Sequence, residues 1–294
     1  MDLLFITHAL NGILMLVIPI VLGIFFTKRF HLGWRIWLIG GATFILSQMG
    51  HIPFNLLLTK LFQVHYLPAP PVAWKPFFNP VILGLSAGLW EELSRAAVYC
   101  WWAMDARSWR KGILLGAGHG GTEAFLLGLL VLYTFMNLTA VRNMDLSRIV
   151  PATQLQLAQQ QVTAYWSAAW PLTLLGAVER LFSLACQIGL SVLVLQAFTR
   201  KQPVWILLAV LWHALIDSAT VYVTARWLST AWGAYAVEGL VGIFALVSIG
   251  FIFILHQPEP PSPEMVVPTR VPLLDVNNLV LEDTPENIEN SRFV

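Results

Sequence analysis

Seven stretches of this chain run for more than 20 residues with an apolar majority: 3–26, 34–58, 80–103, 112–137, 171–197, 203–224 and 232–255. A helix needs about 20 such residues to cross hydrocarbon, where each backbone polar group must be satisfied within the segment itself. The pattern restricts the chain to an all-α, polytopic membrane helix bundle of about seven transmembrane helices, with an eighth possible. Composition agrees. The 294 residues are 57% hydrophobic and only 11% charged, whereas a soluble domain carries about 25% charged residues. An ordinary soluble enzyme, a disordered chain and a collagen-like chain are all excluded. The first stretch does not read as a signal peptide: its start carries Asp2 and no Lys or Arg, and it shows no small-residue cleavage pattern.

Basic residues set the expected sidedness. The loops after the first, third and fifth stretches hold Lys28, Arg29 and Arg35, then Arg107, Arg110 and Lys111, then Arg200 and Lys201. The longer loops opposite hold only Lys60, Lys75, Arg142, Arg148 and Arg226. The denser set belongs in the cytoplasm. A multi-pass protein of the cell membrane follows, its N-terminus outside and its C-terminal tail inside. That tail, 257–294, is Pro-rich and has seven acids against two Arg, so the transmembrane helical domain, 1–256, carries +6 of the chain's net +1. The tail reads as disordered. No basic run points to nucleic acid. Cys100 and Cys186 both lie in apolar runs and read as small buried hydrophobes. Of the outer loops, 59–79 is rich in Pro and aromatics and reads as re-entrant or interfacial. In 138–170, the spacing of Leu155, Ala158, Val162, Tyr165 and Trp166 predicts an amphipathic surface helix, with a plain loop as the alternative.

Charge inside the spans carries the functional signal. Glu91, Glu92 and Arg95 fall in the third, His119 and Glu123 in the fourth, Glu179 and Arg180 in the fifth, and His213 and Asp217 in the sixth. Each centrally placed charge costs roughly 2.5–3.5 kcal/mol on insertion scales. Packing alone does not account for so many. Glu91 and Arg95, His119 and Glu123, and His213 and Asp217 each stand four residues apart, on one helix face. At 1.5 Å per residue, Glu91, His119, Glu123, His213 and Asp217 lie about 18, 12, 18, 16 and 22 Å from the cytoplasmic ends. These faces can converge near mid-membrane. Glu179 lies nearer the outside, and Arg180, its neighbour, is expected to point elsewhere.

Such a chamber has the parts for amide hydrolysis. One glutamate is held ionised by Arg95, and the other is free to take a proton from water. One histidine shares that water, and a second polarises the carbonyl. Alternatives stay open: an ion pair that only stabilises helices, hydrogen-bonded glue between helices, and a structural or gating role for Glu179 and Arg180. His51 reads as a packing histidine, and Glu238 as a residue near the outer interface. Gly116, Gly118, Gly120 and Gly121 suit close helix packing, or a substrate backbone passing His119. His119, His213 and Glu91 are also the set that would hold Zn²⁺ if the site used a metal; otherwise no cofactor is expected. A proton-coupled transporter and a non-catalytic scaffold subunit are the competing classes.

The stretches GLWEELSR (88–95), GAGHGGTEA (116–124) and WHALID (212–217) resemble the three motifs of the CPBP (Abi) membrane proteases. That superfamily takes in CAAX prenyl protease 2 and bacteriocin-processing enzymes, and is related to PrsW-like proteases and Aph-1. The chain is most similar to the bacterial YhfC-type branch, across a peptidase core of about 80–220. The resemblance implies an intramembrane endopeptidase hydrolase of the glutamic type, acting on a membrane-embedded or lipidated polypeptide. It implies Glu91 as general base, Glu92 as its companion, Arg95 as the pairing cation, His119 as a water-activating residue and His213 as an oxyanion contact. Asp217 stands where relatives have Asn or Asp. Arg95 follows the Glu pair after two residues, where many relatives have three.

Overall fold

The structure is a computed structural model that describes residues 2–230 and 232–258. Of the expected tail, residues 259–294 lie outside the described residues. Among the described residues there are eight α-helices and no strand: α1 (Leu3–Phe30), α2 (Arg35–Gln63), α3 (Lys75–Trp101), α4 (Trp109–Val141), α5 (Ala152–Ser167), α6 (Leu175–Thr199), α7 (Val204–Trp227) and α8 (Gly233–Ile254). Five of them, α1, α4, α6, α7 and α8, are long and apolar enough to cross a membrane. The remaining long helices, α2 and α3, have 29 and 27 residues and are the least apolar of the seven. Gln48 and His51 of α2 and Glu91, Glu92 and Arg95 of α3 belong to the site described below.

The eighth helix, α5, is the amphipathic one. Leu155, Ala158, Val162, Tyr165 and Trp166 are its only partly buried residues. Its docking is aromatic: Tyr165 stacks on His8 at 3.8 Å, and Arg142 lies 4.1 Å over the Trp166 ring. The segment before α3 is shorter than its sequence range of 59–79. α2 runs on to Gln63 and α3 begins at Lys75, so only 64–74 remain, holding one 3-10 turn, Val72–Trp74. Pro70 and Pro71 stop a helix there.

α6 is the central helix. Two-thirds of its apolar window (67%) is buried, against 17–28% in the other four. It packs on α4 and α8, while α3 lies along α7, and α1 and α2 both lie along α4. Glycine permits the closest approaches. A Cβ on Gly118 of α4 would fall 1.9 Å from the Trp37 carbonyl oxygen of α2, and one on Gly88 of α3 would fall 2.6 Å from the Val210 carbonyl oxygen of α7. Helix backbones can come this close only where at least one side lacks bulk.

The turns sort to two ends as antiparallel neighbours require. At one end, Asp105 pairs with Arg35 at 3.0 Å and Lys111 at 3.3 Å, and Trp109 Nε1 donates to the Ile252 carbonyl at 2.7 Å. At the other, Arg142 pairs with Asp2 at 2.6 Å. Asp2 also caps α1, accepting from the Leu4 N–H at 3.2 Å. Cys100, one residue from the end of α3, is exposed rather than buried; Cys186 on α6 is buried as expected.

Candidate active site

The close α2–α4 and α3–α7 packing draws α3, α4 and α7 together at Glu91, His119 and His213. Glu91 Oε2 lies 3.0 Å from His119 Nε2 and 3.9 Å from His213 Nε2. The two glutamates divide sharply. Glu92 is fully buried and accepts from Arg95 Nη1, and its Oε1 also lies 2.6 Å from His213 Nδ1. Arg95 is only 4.0 Å from Glu91 Oε2. So of the two partners that helical spacing offered Arg95, the nearer is Glu92. Glu91 instead meets neutral donors: Gln48 Nε2 at 3.1 Å on Oε1, and Gln187 Nε2 at 3.4 Å on Oε2.

This arrangement fixes the imidazole roles. With its Nδ1–H given to Glu92, His213 turns Nε2 toward Glu91 and toward Asp217 Oδ2, which is 3.5 Å away. His119 is fully buried and braced edge-on by Phe44 at 5.3 Å. In the tautomer protonated on Nε2 it donates to Glu91. A cavity of 690 Å³ reaches Glu91, with Asp217, Glu123 and His51 also lining it and apolar walls from α2 and α4.

Glu123 shares a face with His119 but bonds elsewhere: Arg180 Nη1 donates to it at 2.8 Å, and Gln187 Nε2 at 2.9 Å. Glu179 and Arg180 do not diverge. The flexible guanidinium folds back, and Arg180 Nη2 donates to Glu179 at 2.5 Å. The glycines beside His119 leave no room for a substrate strand. Cβ positions on Gly116, Gly120 and Gly121 run into Ile188, Gln187 and Pro19, at 2.7, 2.7 and 3.2 Å. His51 is hydrogen-bonded as a packing histidine would be, with Ser86 at 3.1 Å, yet it also lines the cavity. Glu238 is half-buried, with Oε2 lacking a hydrogen-bond partner among the described residues.

Sequence reasoning missed Gln48 and Gln187. Gln187 donates to both Glu91 and Glu123 and accepts from Arg95 Nη2. A glutamine in the middle of the buried apolar run of α6 is an unusual polar group for a membrane interior, and that was the available signal.

Two imidazoles and a carboxylate make an ordinary zinc donor set, but as arranged these residues do not fit a metal ion. Among the described residues no three His, Cys, Asp or Glu side chains are grouped to hold one. Arg95 puts a fixed cation 4.0 Å from Glu91 Oε2. His119 Nδ1 is buried with no hydrogen-bond partner among the described residues, whereas a ligand histidine ordinarily donates from its second nitrogen.

Comparison with known proteins agrees with a membrane chain of this kind. Residues 14–240 match the family described as YhfC intramembrane metalloprotease. A protein of Bacillus subtilis (strain 168) titled "Uncharacterized membrane protein YhfC" is 30% identical over 254 residues, which cover 83% of this chain and 93% of the relative. No solved structure matches. A match across most of its length places this chain in the YhfC intramembrane metalloprotease family.

Proposed function

We propose that the chain is an intramembrane endopeptidase that hydrolyses a peptide bond with water activated by Glu91. The observation that carries this reading is the meeting of Glu91, His119 and His213 from three helices, with Glu91 itself lining a cavity. Glu91 is 6% exposed, and its nearest fixed cation, Arg95, stands 4.0 Å away and bonds Glu92 instead. Glu91 takes the water proton as the oxygen attacks the scissile carbonyl carbon, then passes that proton to the leaving amine nitrogen. His119 holds the carboxylate oriented. The Nε2 of His213 faces the site where the carbonyl oxygen would gain charge, and Glu92, Arg95 and Asp217 hold that imidazole in place. Glu123, Arg180 and Glu179 support the far wall.

The family description names a metal. The arrangement of the side chains favours the glutamic version, the one the resemblance to CPBP proteases also implies. The proposed substrate is a membrane-embedded or lipidated polypeptide, because the cavity walls are apolar. The proposed location is the cell membrane, with the Asp2 end outside and the Lys/Arg-rich turns in the cytoplasm.

The test is comparative membrane proteomics of cells carrying the wild-type protein or Glu91→Gln. Peptides that persist uncut only in the variant, at equal protein level, are expected. Identical peptide sets would sink the reading and favour a scaffold. Proton flux in proteoliposomes that Glu91→Gln abolishes would favour a transporter.

A further inference from the structure

Hydrolysis consumes one water for each bond cut, and the large cavity is poorly placed to supply it. Its walls are apolar side chains such as Ile45, Met49, Leu126 and Leu127. Met49 is 69% exposed, on a surface that faces lipid in a membrane helix. A polypeptide segment filling that mouth would shut water out.

A second, smaller cavity of 90 Å³ adjoins the first. The two share Glu123 and Asp217, and His213 lines the smaller one. Its character is different. Glu179, Arg180, Ser183 and Thr220 contribute to its wall. The hydroxyls of Ser183 and Thr220 are buried and without a hydrogen-bond partner among the described residues. Buried polar atoms that lack a protein partner are ordinarily satisfied by water. The volume suffices for a few molecules, at about 30 Å³ each. The Glu179 side chain, 35% exposed, stands about one turn from the start of α6. That is the end of the bundle where the Asn11 side chain accepts from the Ala177 N–H at 2.8 Å.

We propose that this polar cavity is a water port, separate from the apolar substrate mouth. It would admit water from the Asp2–Arg142 end, past Glu179, Ser183 and Thr220, to His213, whose Nε2 lies 3.9 Å from Glu91. What the water does there rests on the peptidase reading; the wetness of the port does not.

The test is thiol accessibility in the full-length, membrane-inserted protein. Ser183→Cys and Thr220→Cys are made in a Cys100→Ser, Cys186→Ala background, and both are near-isosteric. Each is treated with a small, charged, membrane-impermeant methanethiosulfonate, applied to one membrane face at a time. Arg148→Cys, at a side chain 82% exposed, marks the Asp2 face. Lys201→Cys marks the opposite face. Leu207→Cys, on a residue 55% exposed on the outer surface of α7, is the lipid-facing control. Because thiolate forms only where water reaches, Ser183→Cys and Thr220→Cys should react roughly tenfold or more faster than Leu207→Cys, and from the face that modifies Arg148→Cys. Reaction no faster than the Leu207→Cys control, or only from the Lys201 face, overturns the port. Labelling is read without substrate, so a wet port in a chain that cleaves nothing would sink the peptidase reading alone. Cleavage by a chain with a dry port would sink the port alone.

Discussion

Glu92→Gln should destabilise this fold far more than Glu91→Gln, although the two residues are neighbours on one helix. Glu92 is the buried counter-charge of Arg95 and also accepts from His213 Nδ1. Neutralising it leaves a fully buried guanidinium whose remaining close partner is Gln187. It also sets an amide N–H₂ against other donors. Removing one member of a buried pair costs about 3–5 kcal/mol; since Gln keeps the shape and one acceptor, the low end, about 3 kcal/mol, applies. Glu91 is held mainly by Gln48 and His119. If it becomes Gln, the amide oxygen can still accept from His119 Nε2–H, so the loss is about 1 kcal/mol or less. In a chain of this size each kcal/mol moves the midpoint by about 2–4 °C. The expected gap between the two variants is then roughly 4–8 °C. Thermal unfolding in detergent, followed by the fluorescence of the 13 Trp, measures it. Equal midpoints, or a larger loss in Glu91→Gln, would refute the assignment of Glu92 as the charge-locked partner and Glu91 as the free base.

Gly118→Ala would drive a methyl to 1.9 Å from the Trp37 carbonyl oxygen. α2 must then move off α4, at a cost of about 1–3 kcal/mol, and Gln48 moves with it; lower thermal stability together with lost cleavage is expected, and an unchanged midpoint would contradict the backbone contact. The glutamic reading predicts cleavage indifferent to strong chelators and no stoichiometric zinc by elemental analysis of the purified protein; inhibition reversed by added zinc would favour the metal version. At the end that carries the basic turns, desolvation opposes ionisation of Asp105, but hydrogen bonds from Arg35 and Lys111 together with their charges outweigh it and hold its carboxyl below the usual 3.8. A carboxyl depressed in the fold stabilises fully above its unfolded value and loses that contribution as pH falls through the folded one. Asp105→Asn should therefore lower the midpoint at neutral pH and converge with wild type only below about pH 4; a difference unchanged on acidification would sink the pairing.

Much of this was legible in the chain itself. Apolar run length located all seven long helices, because hydrocarbon leaves the backbone no alternative to an internally bonded helix. The spacing of Leu155, Ala158, Val162, Tyr165 and Trp166 named the face of α5 that is partly buried. The cost of charge in a membrane singled out Glu91, His119 and His213, which the fold brings together. Partner choice was not legible. Helical spacing allowed Arg95 either glutamate; in the fold it bonds Glu92, which α7 also meets with His213, while Gln187 of α6 bonds both Arg95 and Glu91. The same holds for Glu179 and Arg180, whose joining depends on where Glu123 stands on another helix. Periodicity within a helix fixes which residues share its face, because that geometry is local. Which of them meet a partner across the bundle depends on how far backbones approach, and only the packed glycines of α2, α3 and α4 determine that distance.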